Sequence, residues 1–135
     1  MSGPYASITF LTYEDMAAGD HFYRDVLGLP LVEDQGWAKV YRVCDAANVG
    51  IVQAGCSSVD KLAGSGCLLS IVVEDVDAWY SKLRDEPSIE VLGPPTIVAD
   101  SPVYSFFLRD PAGYRIEIQA FTDSDTAALF GRSGF

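Results

Sequence analysis

An α+β fold built from two βαβββ modules is what this sequence predicts, and three observations carry that expectation. A strand, a Glu-Asp pair and a helical segment occur in that order twice, in FLTYEDMAAGDHFYRDVLGL (10–29) and LSIVVEDVDAWYSKLRD (69–85). Each copy is followed by three segments of strand character. Each half ends in a hairpin-like pair around an aspartate, VYRVCDAANVGIVQAG at Asp45 and FFLRDPAGYRIEIQAF at Asp110. Internal repetition of this kind outranks any single segment as a fold signal. A few short strands and one helix cannot bury both faces of a sheet. Two such modules side by side form a curved eight-stranded mixed sheet around a cleft, with the helices outside.

The elements follow in order. In the first helix Met16, Phe22, Tyr23, Val26 and Leu27 form an apolar stripe at helical spacing, and Gly28 is placed to end it. Asp15 precedes the stripe where an N-cap belongs, its carboxylate accepting the free amides of the first turn. LPLVED, GWAKVYRVC and NVGIVQA read as strands, with turns at Asp34-Gln35-Gly36 and Asp45-Ala46-Ala47. The second module repeats this plan with Asp75 as N-cap, Val76, Trp79, Tyr80 and Leu83 as the stripe, and IEVLG, VYSFFLRD and YRIEIQAF as strands. The turn Asp110-Pro111-Ala112-Gly113 joins a carboxylate acceptor, a ring that fixes φ and a glycine free to take φ > 0. The chain therefore reads as one domain, with module one at about 6–54, a small, polar, glycine-rich linker at about 55–67, module two at about 68–121 and a tail at 122–135. In the tail, DTAALF has the pattern of one docked helical turn.

Composition narrows the function. The 135 residues are 49% hydrophobic and 21% charged, as a globular domain requires. No apolar run approaches the ~20 residues that span a bilayer, and the N-terminus lacks the basic and apolar regions of a signal peptide. A cytoplasmic protein without membrane association is expected. The net charge of −10 and the lack of any Lys/Arg cluster disfavour nucleic acid as a partner. Three cysteines, Cys44, Cys56 and Cys67, are an odd number without CxxC spacing and read as free or structural thiols. No serine or cysteine stands beside a plausible histidine base, and no glycine-rich phosphate loop follows a strand.

FYRDVLGLPLVEDQGW, the repeated strand–Glu-Asp–helix units and DPAGYRIEIQAF together resemble the vicinal oxygen chelate superfamily over about residues 6–121. That superfamily includes glyoxalase I, extradiol dioxygenases, fosfomycin-resistance enzymes and bleomycin-resistance proteins. The resemblance implies the paired βαβββ fold and, in the enzymes, one divalent metal held in the cleft by a residue from the first and a residue from the last strand of each module. Carried over by motif, those positions fall on Ile8, Gly50, Leu68 and Glu117. Only Glu117 can ligate, whereas a divalent ion needs at least three N, O or S donors. The only histidine, His21, falls within the first helix. An oxygen-rich substitute of Glu117, Gln119, Gln53 and Thr12 is conceivable, but residues i and i+2 of a strand stand ~7 Å apart, too far to share one small ion in most geometries. No cofactor is expected.

Glu117 lies on the polar side of its strand, with Arg115, Gln119 and Phe121, opposite the apolar set Tyr114, Ile116, Ile118 and Ala120. Three roles are open to it. It is a relic of a lost metal site, hydrogen-bonded to Ser70 or Thr12; a reader of a donor or cationic group on a ligand; or a general base tuned by the apolar neighbours Ile8 and Leu68. Trp37, Lys39 and Tyr41 share one face of their strand, either as packing and a wet edge or as an aromatic wall with a cation over the cleft. Tyr104, Phe106 and Arg109 carry the same two readings, and Tyr13 could serve the pocket or the cap. The function expected is metal-free binding of a small aromatic or amphipathic molecule, with Thr12, Trp37, Lys39, Tyr41, Gln53, Ser70, Tyr104, Phe106, Glu117 and Gln119 as contacts. The alternative is a glyoxalase-type lyase or isomerase, or a dioxygenase-related enzyme, with Glu117 as acid–base or sole remaining ligand. The partners expected are that small molecule and a second copy of the chain in a homodimer, because module edges would otherwise be unpaired.

Overall fold

In a computed structural model, residues 3–55 and 67–131 are described. Most of the expected linker, with Cys56, lies outside the described residues. The chain divides into two compact units, Met1–Gly66 with Pro111–Gly113, and Cys67–Asp110 with Tyr114–Phe135. No described helix is long and apolar enough to cross a membrane.

The first unit holds β1 (Ser7–Tyr13), α1 (Met16–Asp20), β2 (Leu31–Asp34), β3 (Ala38–Cys44) and β4 (Ala47–Gln53). Its four strands lie in the order β1-β4-β3-β2, with β1 parallel to β4 and the others antiparallel. Asp15 caps α1 as its position predicts, its Oδ1 accepting from the Ala18 amide at 3.0 Å. The helix is shorter than its apolar stripe suggests, because from His21 to Val26 the backbone widens into a π-helix. In a wider turn, neighbouring residues stay on one side for longer. Phe22, Tyr23, Val26 and Leu27 are all buried. Gly28, at φ +76°, then ends the segment in a conformation that other residues avoid.

The helix-facing side of this sheet carries Leu11, Tyr13, Tyr41, Val49 and Ile51, all buried. Tyr23 stacks on Tyr41 with ring centres 5.9 Å apart and meets Tyr13 edge-on at 6.4 Å. Tyr41 is 0% exposed, and its hydroxyl donates to Asp20 Oδ1 at 2.6 Å. Burial, then the Asp20 carboxylate, pushes the Tyr41 hydroxyl far above the ordinary tyrosine pKa of 10.0. The folded state thus favours the protonated phenol. The stability this confers is complete below the ordinary tyrosine range and is lost progressively as pH rises above it. A Tyr41→Phe protein should lose about 2 kcal/mol, as for a hydrogen bond to a charged acceptor. Its stability should also fall less steeply than the parent's above pH ~10, as read by urea unfolding at several pH values. An unchanged alkaline slope would remove Tyr41 from this account.

The second unit repeats the plan with β5 (Leu68–Val72), α2 (Val76–Leu83), β6 (Glu90–Val91), β7 (Thr96–Ile97), β8 (Val103–Arg109), β9 (Arg115–Phe121) and α3 (Ser124–Ala128). Its sheet runs β5-β9-β8-β6, with β7 also on β8, and its first and last strands are again parallel. Asp75 caps α2 through the Ala78 amide at 3.0 Å, and Asp123 caps α3 through the Thr126 amide at 3.0 Å. The helical turn expected in the tail is therefore present, with Ala127 buried and Phe130 stacked on Phe121 at 4.8 Å.

One strand more is present than the sequence predicts. The edge opposite β9 is split, since β6 pairs with Leu108 and Arg109 while β7 pairs with Tyr104 and Ser105. Gly93, Pro94 and Pro95 lie between them, and a proline cannot donate to a ladder. In the β8–β9 turn Gly113 takes φ +92°, and the Asp110 carboxylate accepts from the Tyr114 amide at 2.8 Å.

Candidate functional site on the open face of the second sheet

The register of the second sheet sorts its side chains into two faces. Leu68 stands opposite Arg115, Ser70 opposite Glu117 and Val72 opposite Gln119. On the other flank of β9, Phe107 stands opposite Glu117 and Ser105 opposite Gln119. Paired residues share a face, so Ser70, Ser105, Phe107, Glu117 and Gln119 form one surface, rimmed by Leu68 and Val72. The reverse face holds Leu69, Ile71, Tyr104, Phe106, Leu108, Ile116 and Ile118.

Glu117 is only 9% exposed, yet among the described residues it has no ion-pair partner. The Ser70 hydroxyl donates to its Oε1 at 3.0 Å, and Gln119 Nε2 donates to the same oxygen at 3.3 Å and also to Ser70 Oγ. Two residues, one from each of two neighbouring strands, thus hold the Glu117 carboxylate in a fixed orientation. Arg115, two residues back on the same face, does not pair with it, and its guanidinium lies 5.3 Å from the centre of the Phe107 ring. At the far end of β8, Arg109 reaches Glu90 at 3.4 Å.

Of the residues expected to meet a ligand, the structure brings Ser70, Glu117 and Gln119 together and sends several elsewhere. Phe106, 1% exposed, faces α2 and meets Tyr80 edge-on at 5.4 Å. Tyr104 also faces α2, its hydroxyl donating to Asp77 Oδ1 at 2.6 Å, and that contact raises its pKa. Neither shares a face with Glu117. Tyr41 packs under the first helix, so it forms no aromatic wall. Lys39 pairs with Asp34 at 2.8 Å and holds that carboxyl below the usual range. Trp37 is 47% exposed just before β3, and its carbonyl accepts from the Gln53 amide at 2.7 Å. Gln53 is occupied at the end of β4, where its Nε2 donates to the carbonyls of Glu14 at 3.0 Å and Tyr13 at 3.5 Å. Thr12 is buried on β1 and lines a hollow of about 420 Å3 in the first unit with Tyr13, Glu14, Asp15, Ala18 and Ala54.

Sequence reasoning missed Ser105 and Phe107. Two phenylalanines in succession, Phe106-Phe107, erase the alternation that would assign faces. The turn could have restored it, because Asp110–Gly113 leaves Arg109 opposite Arg115 and counting back puts Phe107 opposite Glu117.

The positions at which the resemblance places metal donors do not fit a metal. Ile8 and Leu68 carry no donor atom. The direction a side chain would take from Gly50 is filled, since a Cβ there would lie 2.5 Å from the Phe10 ring. Directly across from Glu117 stands a serine, and the carboxylate oxygen Oε1 is engaged by two protein donors. Among the described residues no group of three His, Cys, Asp or Glu side chains is placed to hold an ion.

Comparison with known proteins agrees with the fold. A glyoxalase/bleomycin resistance protein/dioxygenase from Nocardioides has a TM-score of 0.72 at 20% identity, over 91% of this chain and 87% of that one. A lactoylglutathione lyase from Agrobacterium tumefaciens has a TM-score of 0.68 at 23% identity, over 96% and 98%. A virulence protein from Salmonella typhimurium has a TM-score of 0.70 at 20% identity, over 90% and 99%. At these identities the likeness is one of fold. No curated protein sequence matches the chain. The sequence profile of one family matches residues 6–118, and with the repeated βαβββ modules this shows that the chain belongs to the Glyoxalase/Bleomycin resistance protein/Dioxygenase superfamily.

Proposed function

We propose that this chain is a metal-independent, small-molecule-binding member of its superfamily, which takes an aromatic or amphipathic molecule on the face of the second sheet that carries Glu117. The observation that supports this reading is the buried, oriented carboxylate of Glu117, which has no ion-pair partner among the described residues and is held by Ser70 and Gln119 beside the Phe107 ring. A polar cluster on an otherwise apolar face supplies orientation, and the apolar rim supplies affinity. The bleomycin-resistance members named in the superfamily's description make ligand capture a natural role for the fold. A homodimer belongs to the same reading, because β1, β2 and β5 are edge strands of their sheets that a second copy can cover. Light scattering at micromolar concentration should return twice the 14.6 kDa chain mass.

A thermal-shift screen of aromatic metabolites, antibiotics and glutathione adducts tests the reading on wild type and Glu117→Gln, with and without EDTA. At 100 times its Kd a ligand adds ~2.7 kcal/mol, a visible shift. At least one aromatic or amphipathic compound should stabilise the wild type, and its shift should shrink in Glu117→Gln. The variant's own stability should stay within about 1 kcal/mol of the parent, since the volume and the hydrogen-bonding neighbours are kept. EDTA should leave the melting temperature unmoved. A clear EDTA shift with stoichiometric metal would sink the metal-independent reading. Compounds that shift both proteins equally would leave Glu117 a relic.

A further inference from the structure

We propose that the face bearing Ser70, Glu117 and Gln119 selects an organic cation with N–H donors, a primary amine or amidinium carried on a flat apolar body; this rests on the reading of that face as a small-molecule site. Within the cluster the donors are engaged. The Ser70 hydroxyl and the Gln119 amide nitrogen both point at Glu117 Oε1, and the same nitrogen also donates to Ser70 Oγ.

What the protein leaves without a partner is chiefly acceptor. Gln119 Oε1 is buried with none among the described residues. So is Ser105 Oγ, on a residue only 2% exposed that stands across from Gln119 on the same face. A hydroxyl can accept as readily as donate.

Charge points the same way. A carboxylate largely withdrawn from water without a cation is costly, and so is a buried carbonyl oxygen without a donor. An ammonium or amidinium group that gives one N–H to Glu117 supplies the missing counter-charge in a charge-assisted pair, and its further N–H groups suit the neighbouring acceptors. A carboxylate or phosphate ligand would meet a negative charge and a row of oxygens. A neutral aromatic without N–H groups would cover the acceptors and leave them unpaired, which is how polar sites reject isosteres. The Phe107 ring, opposite Glu117, already carries the Arg115 guanidinium at 5.3 Å, so this wall tolerates cations. Leu68 and Val72, both exposed on the same face, offer contact for the apolar body. The net charge of −10 raises the local concentration of cations around the whole chain.

Calorimetric titration with three indoles of like shape tests this: tryptamine, neutral 3-methylindole and anionic indole-3-acetate, against wild type, Glu117→Gln and Gln119→Leu. Tryptamine should bind wild type about tenfold or more tightly than 3-methylindole, with indole-3-acetate weakest, a gap of the size expected for a charge-assisted hydrogen bond. Glu117→Gln should abolish that preference by weakening tryptamine about tenfold or more, and Gln119→Leu should weaken tryptamine more than it weakens 3-methylindole. If 3-methylindole binds wild type as tightly as tryptamine, or if both variants keep the preference, cation selection is overturned while the small-molecule reading stands. If none of the three binds at millimolar concentration, both readings fall. Should Glu117→Gln not fold, the tryptamine to 3-methylindole ratio on wild type together with Gln119→Leu decides the matter.

Discussion

Replacing Phe106 by alanine is expected to cost about 3–5 kcal/mol, while the same change at its neighbour Phe107 costs about 1 or less. The two side chains have one chemistry and opposite surroundings. Phe106 is fully buried between α2 and β9, with the Tyr80 ring edge-on at 5.4 Å and Ile118 across the ladder. Removing it opens a cavity that the helix and sheet cannot close. Phe107 is only partly buried on the open face, where its loss leaves space that water can enter. Urea unfolding should show the contrast as a large fall in midpoint for one variant and a small one for the other, with similar slopes. A well-folded Phe106→Ala protein would reverse the face assignment of β8, and with it the place of Ser105 in the site.

Gly19→Val should destabilise the first unit by about 3 kcal/mol. Local propensity argues the other way, because glycine within a helix is ~1 kcal/mol worse than alanine. Packing overrules it. A Cβ on Gly19 would lie 2.9 Å from Ile51 Cδ1 and from two carbons of the Tyr13 ring. The isoleucine tip can turn aside, but Tyr13 is held at 1% exposure against Tyr23 and cannot. The helix must then ride up from the sheet, loosening the aromatic cluster beneath it. Gly19→Ala separates the two effects. Its gain in propensity and its loss in fit partly cancel, so its stability should fall between parent and Gly19→Val. A Gly19→Val protein as stable as the parent would show that the helix floats freely over β1 and β4.

Much of this architecture was legible in the sequence because it rests on local chemistry. Asp15 and Asp75 announced their helices by the need of first-turn amides for an acceptor, and both serve that way. Asp45 and Gly113 marked their turns, and both take the positive φ that a tight reversal demands. Glu117, Ser70 and Gln119 were legible as a group because a polar run on one side of an apolar strand is costly without a purpose. What stayed hidden depends on register. A one-residue slip exchanges faces, so Trp37-Lys39-Tyr41 and Tyr104-Phe106 pointed to a ligand surface from sequence although Tyr41, Tyr104 and Phe106 lie under helices. The π-helical turn was hidden for a similar reason, since its apolar stripe is also compatible with ordinary helical spacing. Atoms without a partner among the described residues, such as Ser105 Oγ, leave no trace in sequence at all.

The split edge of the second sheet bears on how this protein avoids its own copies. An unbroken outer strand there would offer a continuous row of amides and carbonyls, onto which further chains could zip without limit. Gly93, Pro94 and Pro95 cut that row into two pieces of two residues each, β6 and β7, too short to template a long partner. The break denies this side the long, even row of donors and acceptors that a growing fibril needs. Converting Pro94 and Pro95 to threonine would repair the row, and with it the hazard.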